Sequence, residues 1–415
     1  MSTARERHAG RGRGMHPLGR LLPFDQALRL ALRAARPTDR TERVPVPDAE
    51  SRVAAETVRS PIDVPLAARA AMDGYAVLAG DTRRARPSAP VSLRRVGQIL
   101  AGEIAQARVV PGRCLEIATG ALIPRGANAV VMVEATHRQG TVVDVRARVA
   151  PWENVSRRGE DIRRGAVVVR QGDVLTAAKV GALSAVGRTQ VRVYGKPRVA
   201  IFTTGDEIVA PGRPLRPGQV YDVNSRTLAA VVRSNGGDPV SLGSAGDRPP
   251  ALDSILRRAL RDDLVVSSGG SSVGSRDLLA DLVSRHGRVV FHGIAVRPGR
   301  PTVLGLVNRT PVLGMPGHPT SCLMNAYVLL APMVRRLARL PPAVARTVEG
   351  VLAEGFRSPR GKTEFHPVRL AGGRVVSAYR GSSAITSMAH ADGFVEIPAD
   401  ITRLRKGARA RVVLF

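Results

Sequence analysis

The stretch LVVSSGGSSVGSRD, residues 264–277, decides the fold. Its apolar run Leu264–Val266 stops abruptly at Ser267-Ser268-Gly269-Gly270, a small polar loop follows, and Asp277 opens an amphipathic segment. That order reads as a buried strand, a Gly/Ser loop and a helix start. In a parallel α/β sheet such loops sit at the carboxyl ends of strands, where ligands bind. Glycine lets backbone approach a ligand closely, and the free N–H groups at a helix start favour anions. Two readings follow from this stretch alone: an anion-binding loop with Asp277 placed to hold a cation, or a tight βα turn with Asp277 as its cap.

The same βα rhythm runs outward on both sides. Upstream, a strand at Val199–Thr203 ends in Thr204-Gly205-Asp206-Glu207, a helix capped by Asn224 and Ser225 closes at Gly236-Gly237, and a strand at Pro239–Leu242 leads to a helix at Leu252–Leu260. Downstream come a helix Leu278–His286, a strand Val289–Phe291 and the loop AVRPGRP at 295–301. Strands at Thr302–Val307 and Pro311–Leu313 then flank a tight Asn308-Arg309 turn, and GMPGHP at 314–319 precedes a long helix, Thr320–Leu340. The expected architecture is multidomain α/β plus β. A doubly wound α/β domain at 195–340 is joined by a helical linker domain (18–59 and 151–194), a small β domain (60–150) and, after Pro341-Pro342, a C-terminal β domain at 343–415. Helical spacing over Phe24–Arg36 and Ala49–Val58 supports the linker, and short alternating runs with Gly and Pro turns support the β domains. Residues 1–17, rich in Arg, Gly and His, read as a disordered tail or as sequence ahead of a start at Met15.

Composition narrows the classes. With 415 residues the chain has room for several domains, and 3% aromatic content demands a core of Val, Leu, Ala and Ile. The formal net charge of +29 admits nucleic acid, an anionic small molecule or a compositional bias. Arginines are scattered from end to end and aromatics for base stacking are scarce, so the bias is favoured over a nucleic-acid binder. Cys114 and Cys322 form no metal or disulfide pattern, no apolar run reaches membrane-spanning length, and a cytoplasmic protein is expected.

Polar loops at strand ends gather the chemistry. TTGDE at 203–207, SSGGSSVGSRD at 267–277 and GMPGHPTS at 314–321 bring glycines and carboxylates, and AVRPGRP adds Arg297 and Arg300. Arginine forks match phosphate and other oxyanions. Together these loops describe a cleft for a phosphorylated ligand with a metal. His318 is expected to be structural, and Glu160 and Asp161 among the arginines of RRGEDI to form a surface ion-pair cluster.

The motifs, taken in order, resemble the molybdopterin molybdenumtransferase family of MoeA type, which includes the C-terminal domain of gephyrin. They are AAMDGYAV (70–77), ATGALIPRGANAVVMVE (118–134), RRGEDI (157–162), FTTGDEI (202–208), YDVNS (221–225), LVVSSGGSSVG (264–274) and GMPGHP (314–319). The resemblance is collinear from about residue 20 to the C-terminus. It implies a molybdopterin-binding α/β domain, a C-terminal β-barrel and a homodimer whose cleft is shared between subunits. It also implies insertion of molybdate into adenylylated molybdopterin, giving molybdenum cofactor and AMP with Mg²⁺. Carried over by position, Asp277 and Glu207 are the metal ligands and catalytic groups, with Asp73 and Thr119 catalytic from the partner subunit. The same carry-over implies that Ser267, Ser268, Gly269, Gly270, Ser272, Gly205, Asp206, Arg297, Arg300, Pro316, Gly317, Ser382 and Ser383 bind substrate. Molybdopterin adenylyltransferase is a further candidate partner; a lone adenylyltransferase and a non-catalytic scaffold are the alternative functions. The chain departs from the family's usual residues at Arg297 and Arg300 (lysines), at His318 (asparagine), at Ala67-Ala68-Arg69-Ala70 (a polar run) and at Gly361–Pro367, where a GR-x-E-[FY]-x-R pattern is frequent.

Overall fold

The computed structural model describes residues 21–269 and 278–415, in two compact units: 43–193, and 21–42 together with 194–415. The larger unit is built on a six-stranded sheet. Its strands are β1 (Arg198–Thr204), β2 (Asp238–Ala245), β3 (Leu264–Ser268), β4 (Arg288–His292), β5 (Val303–Val307) and β6 (Thr310–Met315), in the order β2-β1-β3-β6-β5-β4. The first four in that order are parallel, and β5 and β4 extend the edge antiparallel. β1, β3 and β6 are almost wholly buried, as their continuous apolar runs require in a sheet covered on both faces.

Alternation along each strand divides the core. Val199, Ile201, Leu264, Val266 and Leu313 face helices α1 (Asn224–Ser234), α4 (Pro319–Asn325) and α5 (Ala331–Leu337), joined there by the helix Phe24–Ala34. Ala200, Phe202, Val265 and Val312 face α2 (Pro249–Ala259) and α3 (Leu278–His286). The sheet is therefore doubly wound. The chain moves from β1 out to β2 and then crosses back to β3 on the other side of β1, so the loops after β1 and β3 flank the topological switch point.

Local chemistry redraws several expected boundaries. Asn224 does not cap α1 but is its first residue; Asp222 Oδ1 accepts the Ser225 N–H at 2.9 Å instead. The expected continuous helix from Thr320 is three pieces, with a π-helical turn at Ala326–Leu330 just ahead of Pro332, whose ring and missing N–H disrupt regular helix. The stretch 49–58 forms no helix: Ser51 has a positive φ of 60°, and Val53 and Ala54 are taken up in antiparallel bridges to Val174 and Val193. Asn308 and Arg309 (φ 49° and 72°) form the expected tight β5–β6 turn.

The C-terminal region is a closed five-stranded barrel. Thr363–Ala371 pairs with Arg374–Ser377, which leads through Thr347–Leu352 and Arg409–Leu414 to Gly393–Ile397 and back to Thr363–Ala371. Closure removes the exposed edges that short strands would otherwise present. A two-residue strand, Val296–Arg297, lies parallel to the barrel strand Thr363–Ala371. The smaller unit carries its own six-stranded sheet with hydrophobic clusters on both faces, one around Val77, Leu93 and Val131, the other around Ala76, Leu115 and Val130. Among the described residues no helix is long and apolar enough to cross a membrane.

Gly314 on β6 lets α3 settle on the sheet: a Cβ there would run into Leu279 and Val303. Gly314→Ala is expected to lower unfolding free energy by about 1–3 kcal/mol through overpacking. Urea denaturation reads this directly, and an unmoved midpoint would contradict the packing.

Candidate functional site

The parallel strands all end on one side of the sheet, and there the larger unit opens a cavity of about 1190 Å³. Gly205 and Glu207 after β1, Asp247 after β2, Gly269 after β3, and Pro316, Gly317 and His318 after β6 all line it. Arg297 and Arg300 come from the loop after β4, and Lys362, Tyr379, Ser382 and Ser383 from the barrel region.

Hydrogen bonds fix these loops to one another. The Asn224 amide nitrogen donates to Ser268 Oγ and to Gly317 O, both at 2.7 Å, tying α1 to the ends of β3 and β6. Ser268 Oγ in turn donates to Pro316 O at 3.1 Å. Gly269 has φ +91°, and a Cβ there would meet Thr204 O and Oγ1, so only glycine lets β1 and β3 end this close together. On the cationic side, the buried Asn325 of α4 donates to Gly299 O at 2.9 Å and to Thr302 Oγ1 at 2.8 Å, which pins the loop between Arg297 and Arg300. His318 Nδ1 lies 2.8 Å from Ser382 Oγ, and Thr320 N–H donates to Ser382 O at 3.0 Å, joining the β6 loop to the barrel. His318 is thus a connector between two lining loops.

The electrostatics are divided. Arg300 is exposed and has no ion-pair partner among the described residues, whereas Arg297 lies 3.4 Å from the buried Glu364. Carboxylates line the same cavity. Partial burial, then the neighbouring carboxylates of Glu207 and Asp206, push the Asp247 carboxyl above the usual range. Like charges close together disfavour one another's ionisation. Among the described residues no group of three His, Cys, Asp or Glu is gathered to hold a metal, so oxygens of a ligand would have to complete a coordination shell.

Of the residues singled out in the sequence, Gly205, Glu207, Ser268, Gly269, Arg297, Arg300, Pro316, Gly317, Ser382 and Ser383 meet around this cavity. Ser267 does not join them. It alternates onto the α2–α3 face of β3, is 0% exposed, and its hydroxyl has no partner among the described residues. Asp206 is exposed and lies by Gly246 rather than in the lining. Gly270, Ser272 and Asp277 fall outside the described residues. In the smaller unit, the N–H and hydroxyl of Thr119 donate to Asp73 Oδ1 at 2.6 and 2.9 Å, and these bonds hold the exposed Asp73 carboxyl below its ordinary range despite an opposing desolvation effect. In RRGEDI, Glu160 accepts the Arg157 N–H at 2.7 Å, and Arg158 pairs with Asp63 at 2.7 Å. Burial pushes the Cys114 and Cys322 thiols up to about 11 and 12, so neither is a nucleophile.

Sequence reasoning missed Asp247, Asn224's inward role, Lys362 and Tyr379. Asp247 was legible only as one more polar residue after a strand. Asn224 at a helix start reads first as a cap.

Comparisons with known proteins agree along the chain. Residues 22–187 match the MoeA N-terminal region (domain I and II), 200–336 a probable molybdopterin binding domain, and 349–415 the MoeA C-terminal region (domain IV). The chain belongs to the MoeA family. Molybdopterin molybdenumtransferase 2 of Mycobacterium tuberculosis is 36% identical over 392 residues, covering 92% of this chain and 96% of that protein. The molybdopterin molybdenumtransferase of Bacillus subtilis is 30% identical over 95% of this chain and 94% of its own. Among solved structures, the MoeA protein of Pyrococcus horikoshii superposes with a TM-score of 0.82 at 30% identity, covering 95% of this MoeA-family chain and 100% of that one.

Asn224→Ala removes both bonds that tie the loops, leaving Gly317 O without that donor. A loss of about 1–3 kcal/mol in unfolding free energy is expected, measurable by chemical denaturation; a wild-type midpoint would show that the clamp carries no stability.

Proposed function

We propose that this chain is a molybdopterin molybdenumtransferase acting in molybdenum cofactor biosynthesis. It inserts molybdate into adenylylated molybdopterin, forming molybdenum cofactor and releasing AMP. The observation that carries this reading is the meeting, in one cavity, of Arg297, Arg300 and Lys362 with Glu207 and Asp247. Molybdate and the pyrophosphate of the nucleotide-bearing substrate are both oxyanions. Planar guanidiniums bind such oxygens through paired N–H donors, and a site partly enclosed by protein strengthens that attraction over water.

Ser268, Gly269 and Gly317 would supply a close-fitting backbone wall for the phosphate-bearing part of the substrate, since glycine there lets main chain approach the ligand. Ser382 and Ser383, across the cavity, would offer hydroxyls toward molybdate. Glu207 and Asp247, with Asp277 from outside the described residues, would hold Mg²⁺ together with substrate oxygens. A divalent cation held by them would supply charge neutralisation for cleavage of a phosphoanhydride. We further propose a homodimer in which Asp73 of the partner subunit and Thr119 of the partner subunit close the cleft. The bonds from Thr119 favour the ionised form of that carboxylate and hold it in place.

Purified protein supplied with adenylylated molybdopterin, molybdate and Mg²⁺ is expected to release AMP. Asp247→Asn, which preserves size and removes charge, is expected to cut AMP release by about a hundredfold. Wild-type protein that releases no AMP would overturn the assignment; full activity in the variant would remove Asp247 from the metal site.

A further inference from the structure

Arg297 stands apart from Arg300 in being held from behind. Strand register places it directly beside Glu364: in the parallel pair of Val296–Arg297 with Thr363–Ala371, Arg297 is the partner of Glu364. Glu364 is 2% exposed, and its carboxylate is shared. Oε2 faces Arg297 Nη1 at 3.4 Å, and Oε1 lies 3.0 Å from His366 Nδ1. The far nitrogen of that ring, Nε2, lies 2.8 Å from Ser377 Oγ, which also accepts the Tyr379 N–H at 3.3 Å. Tyr379 then returns to the start, since its ring lies under the Arg297 guanidinium with Cζ 5.8 Å from the centroid. The five side chains close a circuit, and the His366 ring is clamped by stacking on Phe356 at 4.2 Å.

We propose that His366, acting through Glu364, is a positioning residue that sets the guanidinium of Arg297 in the cavity. Donor and acceptor roles fix the direction of the two bonds to Glu364. An ionised carboxylate only accepts, so His366 donates from Nδ1–H to Glu364, and Arg297 donates to the other oxygen. The other ring nitrogen, Nε2, meets the Ser377 hydroxyl, whose oxygen also accepts from the Tyr379 N–H. The Glu364 carboxylate, both His366 ring nitrogens and the Ser377 hydroxyl oxygen each then have a partner. A buried carboxylate with one partner removed is costly, so Glu364 keeps its orientation only while His366 occupies Oε1. Long cationic side chains lose rotamer freedom when fixed, and a rigid acceptor on a barrel strand meets that requirement before ligand arrives. The sequence feature behind this is local: Glu364, Phe365 and His366 alternate along one strand, which sends Phe365 into the core while Glu364 and His366 face Arg297 and Ser377.

This inference rests on the reading of Arg297 as an oxyanion-binding group, and the test separates the two. Full-length protein is titrated with molybdate by calorimetry, and AMP release is measured against molybdate concentration. His366→Phe keeps a ring for Phe356 to stack on but removes both nitrogens. It is expected to weaken molybdate binding about tenfold, the scale on which partners of a binding group act, and to raise KM with kcat within about threefold. His366→Asn, which restores a donor near Nδ1, is expected to recover most of that loss. In an Arg297→Ala background His366→Phe should add nothing. Glu364→Gln gives a second route to the same tenfold loss should His366→Phe fail to fold. Weak binding by Arg297→Ala beside wild-type binding by His366→Phe or Glu364→Gln would overturn the positioning role alone. Equal losses from His366→Phe with and without Arg297 would overturn it too, as a purely structural effect. Wild-type molybdate binding by Arg297→Ala would overturn the reading of Arg297, and the inference with it.

Discussion

The cavity depends on one constraint: strands that run parallel must all end together, and something must hold their loops in register once the ladder stops. Asn224 does this. It sits at the start of α1, where an amide would ordinarily cap the helix, but Asp222 has taken that task and freed it. Its nitrogen bridges Ser268 of β3 and Gly317 beyond β6. Below it Thr203 donates to the other oxygen of Asp222 at 3.2 Å, so β1 is joined to the same cluster. Three strand ends and one helix start are thus fixed by a few buried polar groups in a low-dielectric setting, where satisfied bonds rigidify and lost ones are expensive.

The barrel contributes a second fixed wall. Val296–Arg297 leaves the α/β sheet and pairs with barrel strand Thr363–Ala371, while Thr320 and His318 bond the loop at Ser382. The aromatic cluster of Phe24, Phe365 and Phe394 lies between the sheet's helices and the barrel, with ring centroids 4.8 and 5.5 Å apart in edge-to-face geometry. With few aromatics in the chain, their concentration at this junction matters. The cationic and acidic sides of the cavity therefore sit on elements packed through one core.

Much of this was legible in the sequence because the α/β unit obeys simple rules. Continuous apolar runs marked β1, β3 and β6, and glycines marked where backbones approach. What escaped was set by partners far away in the chain. Whether Ser267 or Ser268 faces the ligand side depends on the pleat of β3 against its neighbours, and the two serines look alike in sequence. Asn224 reads as a cap until Asp222 is seen to occupy that role. The helix expected at 49–58 failed because Val53 and Ala54 found bridge partners more than a hundred residues on. Asp247 gained meaning only beside Glu207 and Asp206.

The same logic bears on the residues at which this chain departs from its family. Arginine in place of lysine trades a point charge for a planar fork, whose value depends on orientation. At Arg297 that orientation has a visible source in Glu364, itself tied to His366 on the same strand. At Arg300, which is exposed, no such source exists among the described residues. His318 spans to Ser382 through a ring nitrogen and so connects the β6 loop to the barrel. At these three positions, the more directional the side chain, the more its surroundings determine which way it points.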